Sequence, residues 1–270
     1  MPPNPPNINS SENQTMLIVV SPAKTLDYET PLPISKTSQP VFMKRSAELI
    51  EMLRDYTPKK LSKLMKLSDK LAELNVNRYE AWEPKATKKN ARQAMFAFKG
   101  DVYQGLDAYN MNEADCLFAQ DHFRMLSGLY GILRPFDLMQ PYRLEMGTKL
   151  AGDHGNNLYD FWGPDITDVL NKHLKKIDGD VLLNLASNEY FKSVVPSRLK
   201  ARVISPVFKD MKNGKYKLIS FFAKKARGTM SGWIIRKKVT DPKKLAKFAE
   251  DGYRYSAEES TEDKPVFLRG

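Results

Sequence analysis

The sequence predicts a mixed α/β (α+β) fold: one compact domain over residues 16–270, with a central mixed sheet and surrounding helices. Three observations point to it. Leu17-Ile-Val-Val20 and Asp180-Val-Leu-Leu-Asn-Leu-Ala-Ser187 are short apolar runs of strand length. Residues 40–105 carry apolar side chains at helical spacing. Lys212-Asn213-Gly214 between two β-rich runs is a strong hairpin signal.

Residues 1–15 are rich in Pro, Asn and Ser and hold little that could be buried, so they are expected to form a disordered tail outside the fold. Leu17–Val20 then reads as a buried strand that delivers Ser21-Pro-Ala-Lys-Thr25 to its end, where ligand groups often sit in α/β folds. The helical region has a start at Thr57-Pro58, an N-cap followed by proline at the first helical position. Ser68 is a second start, and Thr87 is expected to cap a helix through Ala91, Ala94, Met95 and Phe98. Lys99 and Asp101, flanking Gly100, fit either a functional pair or a helix end with a surface ion pair. Asn112 with Asp115 opens another helix. Its apolar face is expected to run through Phe118, His122, Met125, Leu126 and Leu129, which makes His122 a core histidine.

Leu126-Ser-Gly-Leu-Tyr-Gly131 resembles the glycine turn of a helix-hairpin-helix element, whose backbone N–H groups meet a DNA phosphate. Pro135 and Pro141 keep the second helix short. Arg134, Arg143 and Glu145 follow on a proline-punctuated loop. Leu158–Gly163 is an aromatic cluster of core type, and Pro164–Lys176 reads as a helix. Glu189, Tyr190 and Lys192 follow the second strand. Arg202–Phe208 and Lys215–Phe222 read as strands, followed by the basic run Ala223–Met230 and a helix through Trp233–Lys238. Asp241-Pro242 caps a last helix, and Tyr253–Tyr255 and Pro265–Arg269 are terminal strands.

Charge is segregated. The chain carries a formal +11, and residues 185–250 alone supply 17 Lys/Arg against 4 Asp/Glu. A neutral body with one strongly basic region argues for a polyanionic partner. The lone Cys116 excludes an internal disulfide, and three scattered histidines argue against a histidine metal site. No dinucleotide, P-loop or nucleophile-elbow motif is present, so no cofactor is expected. No apolar run is long enough for a membrane span, and a cytoplasmic protein is expected.

Polar clusters therefore recur at predicted element ends: Ser21/Lys24/Thr25, Lys99/Asp101, Arg134/Arg143/Glu145, Glu189/Tyr190/Lys192 and Lys224/Lys225/Arg227. Brought together, they make a basic cleft with a few carboxylates. Such a cleft could bind nucleic-acid backbone, or act on a nucleotide with Asp101, Glu145 or Glu189 as general acid or base.

Several stretches occur in a telling order: Ser21–Tyr28, Ser68–Ala72, Phe98–Tyr103, Arg124–Gly147, Asn184–Ser193 and Phe222–Gly228. Together they resemble the bacterial peroxide stress resistance protein YaaA family from about Met16 to the last strand. The resemblance implies a cytosolic protein that limits damage by hydrogen peroxide and is linked to low intracellular free iron. It also implies a family-specific α/β fold with a positively charged cleft and a helix-hairpin-helix-like element that bind DNA, and no established reaction. Joined to the residue reading, it assigns phosphate contacts to Lys24, Arg134, Arg143, Lys192, Lys224, Lys225 and Arg227, with Gly128 and Gly131 presenting backbone donors. DNA is the expected partner, with little sequence preference.

Overall fold

In the computed structural model, which describes residues 14–270, Met16–Val20 forms β1 and all five residues are buried. A strand covered on both faces has no reason to alternate, which is why its sequence is uninterruptedly apolar. Of the tail expected over residues 1–15, residues 1–13 lie outside the described residues. Thr15 already belongs to the fold: its carbonyl accepts from the backbone N–H groups of Asp180 and Val181.

After β1 come β2 (Thr25–Leu26) and the helices α1 (Met43–Arg54), α2 (Pro58–Met65) and α3 (Asp69–Glu80). Thr57 caps α2 as its sequence predicts, accepting from the Lys60 N–H. β3 (Arg92–Gln93), α4 (Ala94–Ala97), β4 (Phe98–Lys99) and α5 (Asp101–Leu106) then alternate in short pieces. The helix expected from Thr87 through Phe98 is thus reduced to a single turn. Asn90 accepts from the Thr87 N–H at 2.7 Å in a local turn, and β3 is drawn into pairing with a strand far along the chain.

α6 (Glu113–His122) opens on the expected capping box of Asn112 and Asp115. It stops at His122, and the chain extends into β5 (Phe123–Ser127), turns, and returns as β6 (Gly131–Leu133). Next come β7 (Leu138–Met139), α7 (Leu158–Trp162), α8 (Asp165–Lys176), β8 (Val181–Leu185), α9 (Asn188–Phe191) and β9 (Arg202–Ile204). Pro206 lacks an N–H, and around it the chain leaves β9 and starts β10 (Val207–Lys212) in a different sheet. β11 (Lys215–Lys217), α10 (Ser220–Lys237), β12 (Arg254–Thr261) and β13 (Lys264–Arg269) complete the chain.

The main sheet has the order β6-β5-β1-β8-β9, parallel except for β6. A second sheet, β11-β10-β13-β12, packs the Phe208, Phe248 and Phe267 rings beneath it. Its β10–β11 turn places Asn213 and Gly214 at φ of 54° and 72°, the left-handed pair that an Asn-Gly hairpin requires. The strand expected to reach Phe222 ends at Lys217. α10 begins at Ser220 and takes in the whole basic run, because Ala223, Ala226 and Gly228 are buried in a helix–helix contact. That contact overrides the β propensity of Leu218–Phe222.

Candidate functional site

β1 lies between β5 and β8, so the connections leaving β1 and β8 depart in opposite directions. The carboxyl ends of these two strands are therefore the switch point of the sheet, where open α/β sheets form a crevice. The register Val20↔Leu185 brings Ser21 and Ser187 out side by side. Ser21 Oγ donates to Ser187 Oγ at 3.2 Å and accepts from the Ser187 N–H at 2.8 Å. Ser187 also caps α9 through the Tyr190 N–H, while the buried Tyr103 hydroxyl donates to the Ser21 carbonyl at 3.1 Å. The crevice floor is thus tied to three segments of the chain.

Above it opens a cleft of about 480 Å³. Its lining includes Ser21, Lys24 and Thr25, then Lys99 and Asp101, then Arg143 and Glu145, then Glu189 and Tyr190, and finally Lys224 and Arg227. Each of the polar clusters expected from the sequence contributes to it. Glu145 Oε1 accepts from Lys24 Nζ at 3.0 Å and from Arg143 at 3.1 Å, so one carboxylate oxygen holds two cations. Glu189 Oε1 accepts from the Gly147 N–H at 3.0 Å, and its backbone carbonyl accepts from the Tyr159 hydroxyl. Arg227 differs. Burial pulls its basicity below that of a free guanidinium, and among the described residues no carboxylate or carbonyl accepts from its side chain. A half-buried cation that no protein acceptor meets is costly, and an anion offsets that cost.

The two wings of the cleft are set by glycines. A Cβ on Gly228 would overlap the Val102 carbonyl oxygen, and one on Gly105 would overlap the Lys225 carbonyl oxygen. α5 and α10 therefore meet backbone to backbone, which brings Lys224 and Arg227 of α10 across from Asp101 of α5.

Four of the expected cations line the cleft: Lys24, Arg143, Lys224 and Arg227. Lys192 is not in its lining, and its ammonium lies 4.9 Å from the centre of the Tyr159 ring. Lys225, next in sequence to Lys224, turns to Asp251 at 3.6 Å. Arg134 is also engaged elsewhere: its guanidinium and backbone N–H both donate to the buried Asp137.

Gly128 and Gly131 require the larger correction. The segment expected to be a helix-hairpin-helix element is the β5–β6 hairpin, and both glycines are buried in it. A Cβ on Gly128 would overlap the Leu144 carbonyl. Gly131, at φ 67°, is only 2.8 Å from the Trp162 ring at its Cβ position. The Trp162 indole N–H donates to the Gly128 carbonyl at 3.0 Å. The glycines permit close packing rather than facing a phosphate, and the apolar run Phe123–Leu126 pairs with β1 instead of extending α6.

His122, expected in the core, is half-buried at the end of α6. It stacks on Phe118 at 4.3 Å, its Nδ1 meets the Met16 carbonyl, and burial lowers its pKa. Ser187 and Tyr142 escaped the sequence reading. Ser187 carries an N-cap signal, but its pairing with Ser21 depends on strand register. Tyr142, whose hydroxyl shares a 2.6 Å hydrogen bond with Ser127, has no local signal.

Among the described residues no group of three or more His, Cys, Asp or Glu side chains is disposed to hold a metal ion, and no helix is long and apolar enough to cross a membrane.

A family profile described as peroxide stress protein YaaA matches residues 16–259. A UPF0246 protein of Aliivibrio fischeri is 59% identical over 254 residues, covering 94% of this chain and 98% of the relative. UPF0246 proteins of Saccharophagus degradans and Teredinibacter turnerae are 58% and 55% identical over the same length, with 99% of each relative covered. The profile spans the main sheet and every segment that lines the cleft, so the chain belongs to the peroxide stress protein YaaA family, and its role lies in peroxide stress.

Proposed function

We propose that the protein acts in the cytoplasm during peroxide stress by binding DNA through its sugar-phosphate backbone, with the basic cleft as the contact surface. The observation that carries this reading is Arg227: a half-buried guanidinium without a partner among the described residues, in a cleft that also holds Lys24, Lys99, Arg143 and Lys224. Phosphate satisfies such a set through charge-assisted hydrogen bonds without reading sequence. Covering DNA in this way would limit its exposure to peroxide chemistry or assist its repair. The link to free iron would then be indirect, since two of the three cleft carboxylates, Glu145 and Glu189, are held by Lys24, Arg143 and the Gly147 N–H.

The test is an anisotropy titration of a labelled duplex across a salt series. Affinity should fall with a log–log slope of about −0.9 per phosphate contacted. Lys224→Glu with Arg227→Glu should weaken binding on the order of tenfold or more and flatten that slope. Binding that ignores salt, or no binding at low salt, overturns the reading.

A second reading, an enzyme acting on a nucleotide or damaged nucleic acid, is favoured by Asp101, Glu145 and Glu189 in the same cleft. It requires product formation from a nucleotide or damaged-DNA panel that Glu145→Gln or Glu189→Gln abolishes in a folded protein.

A further inference from the structure

Between Asp210 and Asp241 the chain has no carboxylate. Three of the cations in that interval find acids elsewhere: Lys225 with Asp251, Arg236 with Asp107, and Lys238 with Asp115. Lys212, Lys215 and Lys217 on the β10–β11 hairpin find none among the described residues, nor do Lys224 and Arg227. Into this uncompensated positive field the structure sets large apolar side chains. Phe221 and Leu218 are each 57% exposed, and Phe222 is 38% exposed.

Isolated exposed apolar residues need no explanation, but these are organised. Phe222 lies under the Arg269 guanidinium, 4.7 Å from its ring centre, and holds the Phe221 ring at 5.7 Å in an edge-on arrangement. Phe221 is thus supported by a neighbour and still more than half open to solvent. It stands three residues before Lys224 in α10, so the two side chains share a helix face one turn apart. Lys224 and Arg227 continue from there into the cleft. A flat aromatic surface beside a recessed cation is the arrangement by which proteins hold unpaired nucleotides, with base on ring and phosphate on cation. A lipid surface would meet the exposed rings but could not follow Lys224 and Arg227 into a recess.

We infer that Phe221 is a base-stacking platform, and that the preferred ligand of this face is single-stranded DNA. One base lies on the Phe221 ring while an adjacent phosphate enters the cleft at Lys224 and Arg227. This deepens the backbone-binding reading and rests on it. It adds that an unpaired strand is favoured over a duplex, whose bases are not available to stack.

The experiment compares fluorescein-labelled dT12 with a 12-base-pair duplex, titrated at low salt with the full chain and with Phe221→Ala, Phe221→Trp and Lys224→Glu. The exposed position predicts an unchanged thermal midpoint for Phe221→Ala. That variant should lose about tenfold in affinity for dT12 while changing little for the duplex, and dT12 should quench the emission of the Phe221→Trp indole. Lys224→Glu should weaken both ligands. If Phe221→Ala affects neither ligand, or both equally, while Lys224→Glu weakens both, the stacking platform is overturned and backbone binding stands. If the unaltered chain binds neither DNA, both fail. If Phe221→Ala instead releases the protein from phosphatidylserine vesicles and leaves dT12 binding intact, the face belongs to a membrane and the inference is overturned.

Discussion

Gly228 of α10 lies directly against the backbone carbonyl of Val102 in α5, with no room for a Cβ between them. Helix propensity and packing make opposite demands here. Alanine is the better helix former by about 1 kcal/mol, yet a methyl group would have to push two backbones apart at a cost of about 1–3 kcal/mol or more. Packing should win. Gly228→Ala is expected to lower the thermal midpoint by a few degrees, and to weaken DNA binding because Lys224 and Arg227 move with the helix. A midpoint that rises would show that the two helices separate without strain.

Glu145 offers a test of opposite sign. Its carboxylate occupies Lys24 and Arg143 at once, so it competes with any phosphate for both cations. Glu145→Gln should tighten DNA binding at low salt and steepen the salt dependence by up to two phosphate contacts. Weaker binding would mean that the carboxylate orients the cations rather than competing for them.

Asp137 separates stability from binding. It is fully buried and accepts from Arg134 and from the Ser38 hydroxyl at 2.6 Å, while its carbonyl accepts from the Ala94 N–H. Removing the charge that faces Arg134 should cost on the order of 3 kcal/mol. Denaturant unfolding of Asp137→Asn should shift accordingly, with DNA affinity per folded molecule unchanged. A selective loss of DNA binding would return Arg134 to the site.

His173 gives the fold an acid-side weakness. Its Nδ1 accepts from Arg124 Nε at 2.9 Å, which requires an unprotonated Nδ1. Burial, then the positive charge of Arg124, lowers its pKa from 6.5 to about 3. The unfolded chain takes up this proton near pH 6.5 and the folded chain only near pH 3. Stability from this residue is therefore intact above about pH 6.5 and declines as pH falls between those values. His173→Gln, which keeps an acceptor for Arg124 and removes the titration, should flatten the pH dependence of unfolding over that window. An unchanged slope would mean that other groups carry it.

The elements legible in advance were those whose signals are local. β1 and β8 are apolar runs of the right length, Thr57 and Asn112 carry caps, and Asn213-Gly214 turns a hairpin. Where a segment's partner was distant, local reading failed. Phe123–Leu126 continues the apolar spacing of α6 and becomes a strand because β1 offers it a ladder. Leu218–Phe222 has the composition of a strand, and its second half becomes helix because α5 offers α10 a glycine seam.

Strand length, capping and charge are properties of neighbouring residues, so an α/β protein with a basic region and polar clusters at its element ends is readable along the chain. Which of those clusters come together depends on how the distant segments pack. Lys224 and Lys225 are adjacent and chemically identical, yet one lines the cleft and the other pairs with Asp251. Gly128 and Gly131 looked like phosphate ligands and are packing sites, because the Leu144 backbone and the Trp162 ring occupy the space their missing side chains leave. The meaning of a charge or a glycine here depends on what faces it, and what faces it comes from elsewhere in the chain.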